Sequence, residues 1–309
     1  MSNQRLPLVA SLIAIGGALV WSSGAVMSRS ARGIDAFQYL IWRSIGIIVV
    51  MELVHLWQRR GKGLGAPMTW RAWTSGWLMV GANVGVFVSS LGFVYAVKTT
   101  TPANAAFLTS LTPLVTVVFS RFLGERLTRS TIIAMSVGVV GLVVTVVGDL
   151  EAGNMVGNAS ALLSSLGFAL YTVCLRSDPE RDWSPSLPGY GVLMIAVCTG
   201  VTLAEGHPLV PAWVDMRWAL LHGAVVIVLG TLMFNAASQQ VPAVPMTVFA
   251  QAEMVFVPVW TFVFLGDRPA LVTILGGMII FSAVIGKALA DAAHGLRPPH
   301  TNVADVPSL

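Results

Sequence analysis

Two ionisable residues lie deep within apolar stretches of this 309-residue chain, and their presence there calls for a chemical explanation. Glu253 lies roughly 12 Å along one predicted membrane span at ~1.5 Å per residue, and Arg43 lies early in another. A charge in hydrocarbon costs at least ~2.5–3.5 kcal/mol, so both must face protein or water. Glu253 could couple protons, bind a substrate ammonium group, or be a structural acid bonded to neighbouring helices. Arg43 is expected to act as a structural lock by pairing with an acid or with helix carbonyls.

Uncharged polar and aromatic side chains also fall in the middle of apolar stretches. Hydrogen bonds between helices explain many such polar residues, and a substrate cavity explains them too. The aromatic residues could line the same cavity, or they could pack between helices and contact lipid. We expect a central cavity whose leading substrate contacts are Trp21, Asn83, Phe107, Tyr171, Asn235 and Gln251, with Glu253 and Arg43 as coupling or structural charges.

The sequence offers little support for an enzyme. The two cysteines, Cys174 and Cys198, both lie in apolar segments, which argues against a disulfide or metal framework. The five histidines form no helical pair. No phosphate-binding glycine loop, metal-ligand spacing or nucleophile–base pair is evident in the sequence. We therefore predict no catalytic residues, no metal and no cofactor.

The elements that position these residues are predicted to be membrane-spanning helices. The chain is 55% hydrophobic and only 10% charged, with mean hydropathy +0.78, whereas a soluble domain carries roughly 25% charged residues. At roughly 20 apolar residues per crossing, the chain has room for about ten helices. The predicted spans are 6–28, 36–57, 74–96, 103–122, 130–148, 155–175, 188–204, 219–239, 245–264 and 270–290. The first could be a signal peptide, but it has no small-residue cleavage site, so we interpret it as a retained helix.

One short sequence motif occurs twice in the chain. Residues 122–126 read Phe-Leu-Gly-Glu-Arg, and residues 264–268 read Phe-Leu-Gly-Asp-Arg, 142 residues later. Further matches fall at nearly the same offset, such as Ala18-Leu19 with Ala161-Leu162. Two loops could match by chance, because glycine commonly ends a helix and an acid caps the next. The additional matches favour duplication into a five-helix repeat over 6–148 and a second over 155–290, followed by a disordered cytoplasmic tail over 291–309.

The distribution of positive charge predicts the orientation. With the amino terminus inside, 12 of the 18 Lys and Arg residues fall on the inner side and five on the outer side, and Arg43 lies within a span. Because cytoplasmic loops are enriched in Lys and Arg, both termini are predicted to be cytoplasmic. An odd number of spans per repeat inverts the second half, so the fold class is an all-α polytopic membrane protein with ten transmembrane helices in two inverted-topology repeats. Such repeats are typical of secondary transporters.

These features resemble the drug/metabolite transporter superfamily, specifically its EamA-type ten-helix exporters, over about residues 8–290. Trp21 lies in a segment that looks like the first-helix signature of that family, and Pro113 looks like its helix-four proline. Arg43 lies where the family commonly has an arginine in helix two. Glu253 matches the acid of a frequent Leu-Glu-Pro motif in helix nine, although other residues flank it here. The resemblance implies metabolite export, often of amino acids, and a cavity lined by helices one, three, four, six, eight and nine.

We therefore predict a secondary transporter that exports small metabolites, amino acids and especially aromatic ones, across a bacterial inner membrane by alternating access. A membrane-embedded enzyme and a passive channel are the alternatives. The partners expected are a small-molecule substrate and the lipid bilayer, and not nucleic acid, because the basic residues lie mainly in short loops beside apolar spans. Substrate identity, oligomeric state, and the choice between proton coupling and facilitated diffusion stay open at this stage.

Overall fold

A computed structural model describes residues 8–60, 65–120, 129–149, 155–178, 180–241, 246, 249–250 and 252–294. Within these ranges the chain is helical and contains no strand. The helices are α1 (Leu8–Ser22), α2 (Gly24–Ser30), α3 (Ala36–Gln58), α4 (Met68–Thr74), α5 (Trp77–Thr99), α6 (Pro102–Thr109), α7 (Thr112–Ser120), α8 (Arg129–Asp149), α9 (Met155–Ser177), α10 (Ser186–Ala204), α11 (Trp213–Leu221), a π-helical segment (His222–Ile227), α12 (Val228–Ser238), α13 (Ala252–Leu265) and α14 (Leu271–His294).

Seven described helical stretches are long and apolar enough to cross a membrane. They are Val9–Ser30, Ala36–Gln58, Trp77–Thr99, Pro102–Phe119, Met155–Ser177, Ser186–Ala204 and Trp213–Ser238. Three shorter apolar helices, Ile132–Gly141, Val255–Leu265 and Leu271–Ala283, lie at the positions of predicted spans five, nine and ten. The prediction of a multi-pass helical membrane protein is therefore confirmed. The number of crossings and the inverted repeat stay predictions.

Several predicted boundaries differ from the structure. The eighth span was predicted to begin at residue 219, but its helix begins at Trp213, because polar Asp215 and Arg217 are accommodated in the first turns of α11. The helix predicted to end at 290 continues to His294, so the predicted tail starts within α14, and residues 295–309 lie outside the described residues. The short helix α4 occupies a segment predicted to be a loop.

Three of the spans are interrupted. Between α1 and α2, the Ser22 and Ser23 hydroxyls donate to the carbonyls of Leu19 and Val20, at 2.6 and 2.7 Å. Such side-chain bonds compete with the backbone and bend helices. Between α6 and α7, the helix breaks just before Pro113, which cannot donate a helical hydrogen bond. The π-helical segment divides α11 from α12, and π-bulges occur frequently at functional sites. These irregularities free backbone groups and re-aim side chains in the membrane interior.

The most extensive packing joins helices from the two halves of the sequence. The pairs are α5 with α9, α8 with α14, α3 with α10, and α1 with α12. Glycines permit the closest of these contacts, because a Cβ on Gly85 would lie 2.8 Å from the Gly167 carbonyl oxygen, and one on Gly167 only 2.6 Å from the Gly85 oxygen. Small residues at helix interfaces let backbones approach in this way. The core of the molecule is thus formed between the halves.

The second copy of the repeated motif, residues 264–268, forms a turn that terminates a helix. Gly266 has φ of +71°, in the left-handed region that glycine favours. Its N–H donates to the Phe262 carbonyl, and the next N–H, of Asp267, donates to the Thr261 carbonyl. These bonds close the end of α13 as a glycine C-cap does. Asp267 also lies 3.9 Å from Arg29 at the end of α2. The first copy, 122–126, lies outside the described residues.

Candidate functional site

A cavity of about 140 Å³ lies between the two halves. One water needs only about 10–15 Å³ measured in this way, so the cavity has room for several waters or a small solute. Its described lining residues are Ala250, which precedes α13, and residues of eight helical stretches: α1, α3, α5, α6–α7, α9, α10, the π-helical segment with α12, and α13. All six helices named in the sequence analysis contribute, and α3 and α10 contribute in addition. The described lining residues are Trp21, Arg43, Val86, Ser89, Ser90, Phe93, Ala106, Thr109, Thr112, Ser164, Phe168, Tyr171, Tyr190, His222, Ile227, Thr231, Ala250 and Glu253.

Arg43 provides a buried positive charge at the wall of this cavity. The residue is only 2% exposed. Its Nη2 donates to the Ser90 hydroxyl of α5, while its Nε has no hydrogen-bond partner in the described part of the chain. A buried guanidinium has five donors and remains charged, so unused donors are costly. Arg43 therefore donates to a hydroxyl of a neighbouring helix, where the sequence suggested an acid or helix carbonyls, and it also retains donors for an anionic ligand.

Glu253 lines the same cavity from the first turn of α13. Its side chain forms no hydrogen bond or ion pair with any residue that the structure describes, and it is not within ion-pair distance of Arg43. Among the described lining residues, Arg43 carries a positive charge and Glu253 is the one acid, and the two do not form an ion pair. Because an uncompensated charge inside a membrane protein is expensive, this separation is well suited to a ligand that brings both charges.

Aromatic rings form one wall of the cavity. Trp21 packs edge-on against Phe168, with centroids 5.9 Å apart and an interplanar angle of 86°. Phe168 also lies 6.1 Å from Tyr171, and the buried Phe234 packs behind both Trp21 and Phe168 at 5.2 and 5.5 Å. Edge-to-face and tilted pairs at these distances are favourable. The wall combines apolar faces with the Tyr171 hydroxyl, so it suits a planar apolar group.

The Tyr171 hydroxyl donates to Asn235 Oδ1 at 2.7 Å. Tyr171 is 1% exposed and lines the cavity, whereas Asn235 is not among its described lining residues. The two predicted contacts are therefore brought together, but Asn235 acts from behind by orienting the Tyr171 ring on α9. This bond links α9 to α12, on which Thr231 also lines the cavity.

His222 lies where the π-helical segment begins, and it lines the cavity. Its Nδ1 is 2.8 Å from the Tyr39 hydroxyl, and its ring approaches Gly24 so closely that a Cβ there would clash with Nε2. The next residue, Gly223, brings the backbone so close to the Arg43 carbonyl that any Cβ there would clash. The π-helical segment therefore places His222 next to Arg43 at the cavity, with Tyr39 in contact with the His222 ring.

Besides Asn235, two further predicted contacts do not belong to the described lining of the cavity. Asn83 is fully buried, and its Nδ2 donates 2.8 Å to the Ala72 carbonyl, so it fastens α4 to α5. Phe107 packs against Gly277 of α14, beyond the cavity wall. Mid-span position does not specify the rotation of a helix, so it did not reveal which side chains turn inward. Gln251 lies outside the described residues.

Sequence reasoning missed several lining residues that share a simple pattern. On α5, Val86, Ser89, Ser90 and Phe93 form one stripe, and on α9 Ser164, Phe168 and Tyr171 form another. These spacings of three and four residues place side chains on a single helix face. Serines within an apolar span, such as the adjacent Ser89 and Ser90, are a signal that could have identified the cavity face. His222 and Tyr190 have no comparable local signal.

One group of three possible metal ligands exists in the described part of the chain, and it lies away from the cavity. It consists of Asp35, Glu205 and His207. Asp35 already caps α3 by accepting from the Gln38 N–H at 2.8 Å, and its other oxygen lies 2.9 Å from His207 Nδ1. These contacts join the α2–α3 loop to the α10–α11 loop, which explains the group without an ion.

The sequence and the fold are similar to those of known proteins. Residues 8–147 and 155–287 match the EamA-like transporter family. The chain is 26% identical over 286 residues to the pseudopaline exporter CntI of Pseudomonas aeruginosa, covering 92% of each protein. It is 24% identical over 211 residues to an uncharacterized transporter of Archaeoglobus fulgidus, covering 67% of this chain and 74% of that one. A solved crystal structure matches with a TM-score of 0.66 at 20% identity, covering 91% of this chain and 98% of the other, and supports the fold.

Proposed function

Because the chain belongs to the EamA-like transporter family, we propose that it is a secondary transporter that exports amino acids, and aromatic ones in particular, by alternating access. Family membership establishes a multi-pass membrane transporter of a small molecule. The pseudopaline exporter supports export as the direction of transport and supports a bacterial inner membrane as the location. The choice of substrate rests on the cavity.

The observation that carries this choice is the pair of opposite charges in one aromatic-walled cavity. Arg43 retains unused donors, and Glu253 has no partner among the described residues. An amino acid supplies a carboxylate for Arg43 and an ammonium group for Glu253, so that each buried charge gains a counter-charge on binding. A side chain of the substrate would then meet Trp21 and Phe168. An aromatic side chain suits that wall because rings pack favourably edge to face.

The packing of the helices supports an inverted repeat as the basis of alternating access. If spans one to five correspond to spans six to ten, the α1–α12 contact joins spans one and eight, and the α5–α9 contact is its equivalent between spans six and three. The α3–α10 and α8–α14 contacts each join a helix to its own counterpart in the other half. Matches to the same family over 8–147 and 155–287 agree with such a duplication. The halves would rock about the cavity between them, as inverted-repeat transporters do. The charge distribution favours both termini in the cytoplasm.

Counter-flow in proteoliposomes tests the proposal. The panel is phenylalanine, phenethylamine, which lacks the carboxylate, and N-acetylphenylalanine, which lacks the ammonium charge, each with and without a pH gradient. A charged hydrogen bond contributes about 1.5–3 kcal/mol, so each truncated ligand should compete about ten- to a hundredfold more weakly. Accumulation that follows the pH gradient would indicate proton coupling, and simple equilibration would indicate facilitated diffusion.

Matched variants locate the two charges. Arg43→Gln should weaken the binding of phenylalanine and leave the binding of phenethylamine almost unchanged. Glu253→Gln should leave the binding of N-acetylphenylalanine almost unchanged. Arg32→Gln and Glu205→Gln, at exposed positions outside the cavity lining, should leave all three ligands unaffected. Equal transport of the three ligands by the wild type contradicts the amino acid assignment. Non-saturable flux without counter-flow indicates a channel, and conversion of the substrate indicates an enzyme.

A further inference from the structure

A second cavity, of about 700 Å³, lies apart from the central one, at the end of the molecule predicted to be cytoplasmic. It is lined by the last turns of α3, by α4, and by the loop before α10. No described residue lines both cavities. The proposed transport function therefore does not account for this second cavity.

The walls of this second cavity are held in place by specific hydrogen bonds. Both oxygens of Glu52 accept from the first turn of α4, from the N–H groups of Met68 and Thr69 at 3.2 and 2.8 Å. At the other end of α4, Arg181 Nη1 donates 2.9 Å to the Ser75 carbonyl and thereby ties the α9–α10 loop to α4. A short helix fixed at both ends makes a preformed wall, which lowers the ordering cost of binding a ligand.

His55 is the feature of this cavity that points most directly to a ligand. It lines the cavity, it is 6% exposed, and its Nε2 has no hydrogen-bond partner among the described residues. A buried polar atom without a hydrogen-bond partner destabilises the structure that contains it. A ligand oxygen within reach would supply the missing partner.

Two arginines face the same space. Arg71 lies 3.5 Å from Asp182, and both side chains are partly exposed, at 34% and 53%. Charge-assisted bonds are typically about 2.7–2.9 Å long, so this pair is loose and can yield to a stronger anion. Arg59 forms no ion pair in the part of the chain that the structure describes. Together with His55 these groups form a cluster of donors suited to phosphate oxygens, which arginine binds in bidentate fashion.

Exposed tryptophans show the level at which the cavity lies. Trp57, on the same turn as the cavity residues of α3, is 68% exposed, and Trp70 and Trp73 of α4 are 66% and 36% exposed. Trp77, at the start of α5, is 79% exposed. Tryptophan is enriched at membrane–water interfaces, at the level of the lipid headgroups. The donor cluster of His55 and the two arginines therefore opens where lipid phosphates lie.

From this arrangement we propose that the cavity binds the headgroup of an anionic phospholipid, whose phosphate oxygens accept from Arg59, Arg71 and His55. Basic pockets between membrane helices on the cytoplasmic side are suited to such headgroups. The lipid would brace α3 against α4 and the α9–α10 loop. It would act at a distance from the substrate cavity.

The test measures lipid binding by the detergent-solubilised full chain. The unfolding temperature is followed during separate titrations with phosphatidylglycerol, phosphatidylcholine and inorganic phosphate, and its concentration dependence yields an apparent Kd. Phosphatidylglycerol should raise the unfolding temperature at much lower concentrations than the other two. A cation near an anionic lipid surface contributes about 1 kcal/mol to binding. Arg59→Gln and Arg71→Gln should therefore each raise the apparent Kd for phosphatidylglycerol about fivefold, and the double variant should raise it about 25-fold.

Arg60→Gln is the matched control, because Arg60 is the exposed neighbour of Arg59 and does not line the cavity. It should leave the apparent Kd nearly unchanged. If the Arg71 variant fails to fold because Asp182 loses its partner, Arg59→Gln alone is sufficient, and Asp182→Asn should tighten binding by releasing Arg71. If Arg59→Gln and Arg60→Gln lose the same affinity for phosphatidylglycerol, the proposed site is wrong. It is also wrong if the unfolding temperature responds equally to phosphatidylglycerol and phosphatidylcholine. An equal response to free phosphate would show a soluble anion site instead.

Discussion

The crossing of α5 and α9 allows a prediction with a magnitude taken from the structure. If Gly167 is replaced by alanine, the new Cβ would clash with the backbone nitrogen of Ser89 and would lie 2.6 Å from the Gly85 carbonyl oxygen. Ordinary van der Waals contact begins at 3.4 Å, so the two backbones must separate by about 1 Å. Neither obstacle is a flexible side chain, and the substitution therefore cannot be relieved by a change of rotamer.

We expect Gly167→Ala to destabilise the protein and to impair transport. Overpacking of this kind costs about 1–3 kcal/mol, and each kcal/mol lowers the Tm of a large domain by roughly 2–4 °C. The same displacement moves Phe168 and Tyr171, which follow on α9 and line the cavity. Transport should therefore fall even in the fraction that remains folded.

Thermal unfolding followed by tryptophan fluorescence, together with counter-flow at equal amounts of folded protein, measures both effects. Gly200→Ala is the control, because Gly200 lies within α10 and a Cβ there would meet no atom of the described residues within 4 Å. That variant should be neutral or more stable by up to ~1 kcal/mol, since alanine is the better helix former. If the Gly167 and Gly200 variants show the same Tm and the same flux, the close approach of α5 and α9 is wrong.

Three further predictions concern the site and the topology. Tyr171→Phe should cost about 0.6–1.7 kcal/mol in thermal unfolding by removing the hydrogen bond to Asn235, and a double-mutant cycle with Asn235→Ala that gives no coupling energy would refute that bond. Glu253→Ala should keep the wild-type Tm while losing amino acid uptake, because no described residue bonds its carboxylate; a large loss of Tm that Glu253→Gln restores would instead demonstrate a structural acid. Single cysteines at Ser130 and Asp267 should react with membrane-impermeant reagents from opposite sides, and labelling of both from one side is incompatible with inverted repeats.

Membrane class, helical content and the approximate positions of the spans could all be predicted from the sequence. Each depends on local composition, because any segment in hydrocarbon must satisfy its own backbone hydrogen bonds as a helix and must be apolar along most of its length. The interruption before Pro113 has a local cause in the missing N–H of that residue. The start of α11 and the end of α14 could not be predicted accurately, because hydropathy does not show how far a helix extends beyond the membrane.

Membership of the cavity depended on tertiary structure. In a membrane helix the faces toward lipid and toward protein are both apolar, so hydrophobic periodicity does not reveal which way a side chain points. Asn83 and Phe107 lie mid-span but turn toward α4 and α14, while Ser90 and His222 turn inward. The sequence by itself determined that charged and aromatic residues lie deep in a membrane. Only the rotation of each helix, set by contacts between the two halves such as α5 with α9, determined which of them share one cavity.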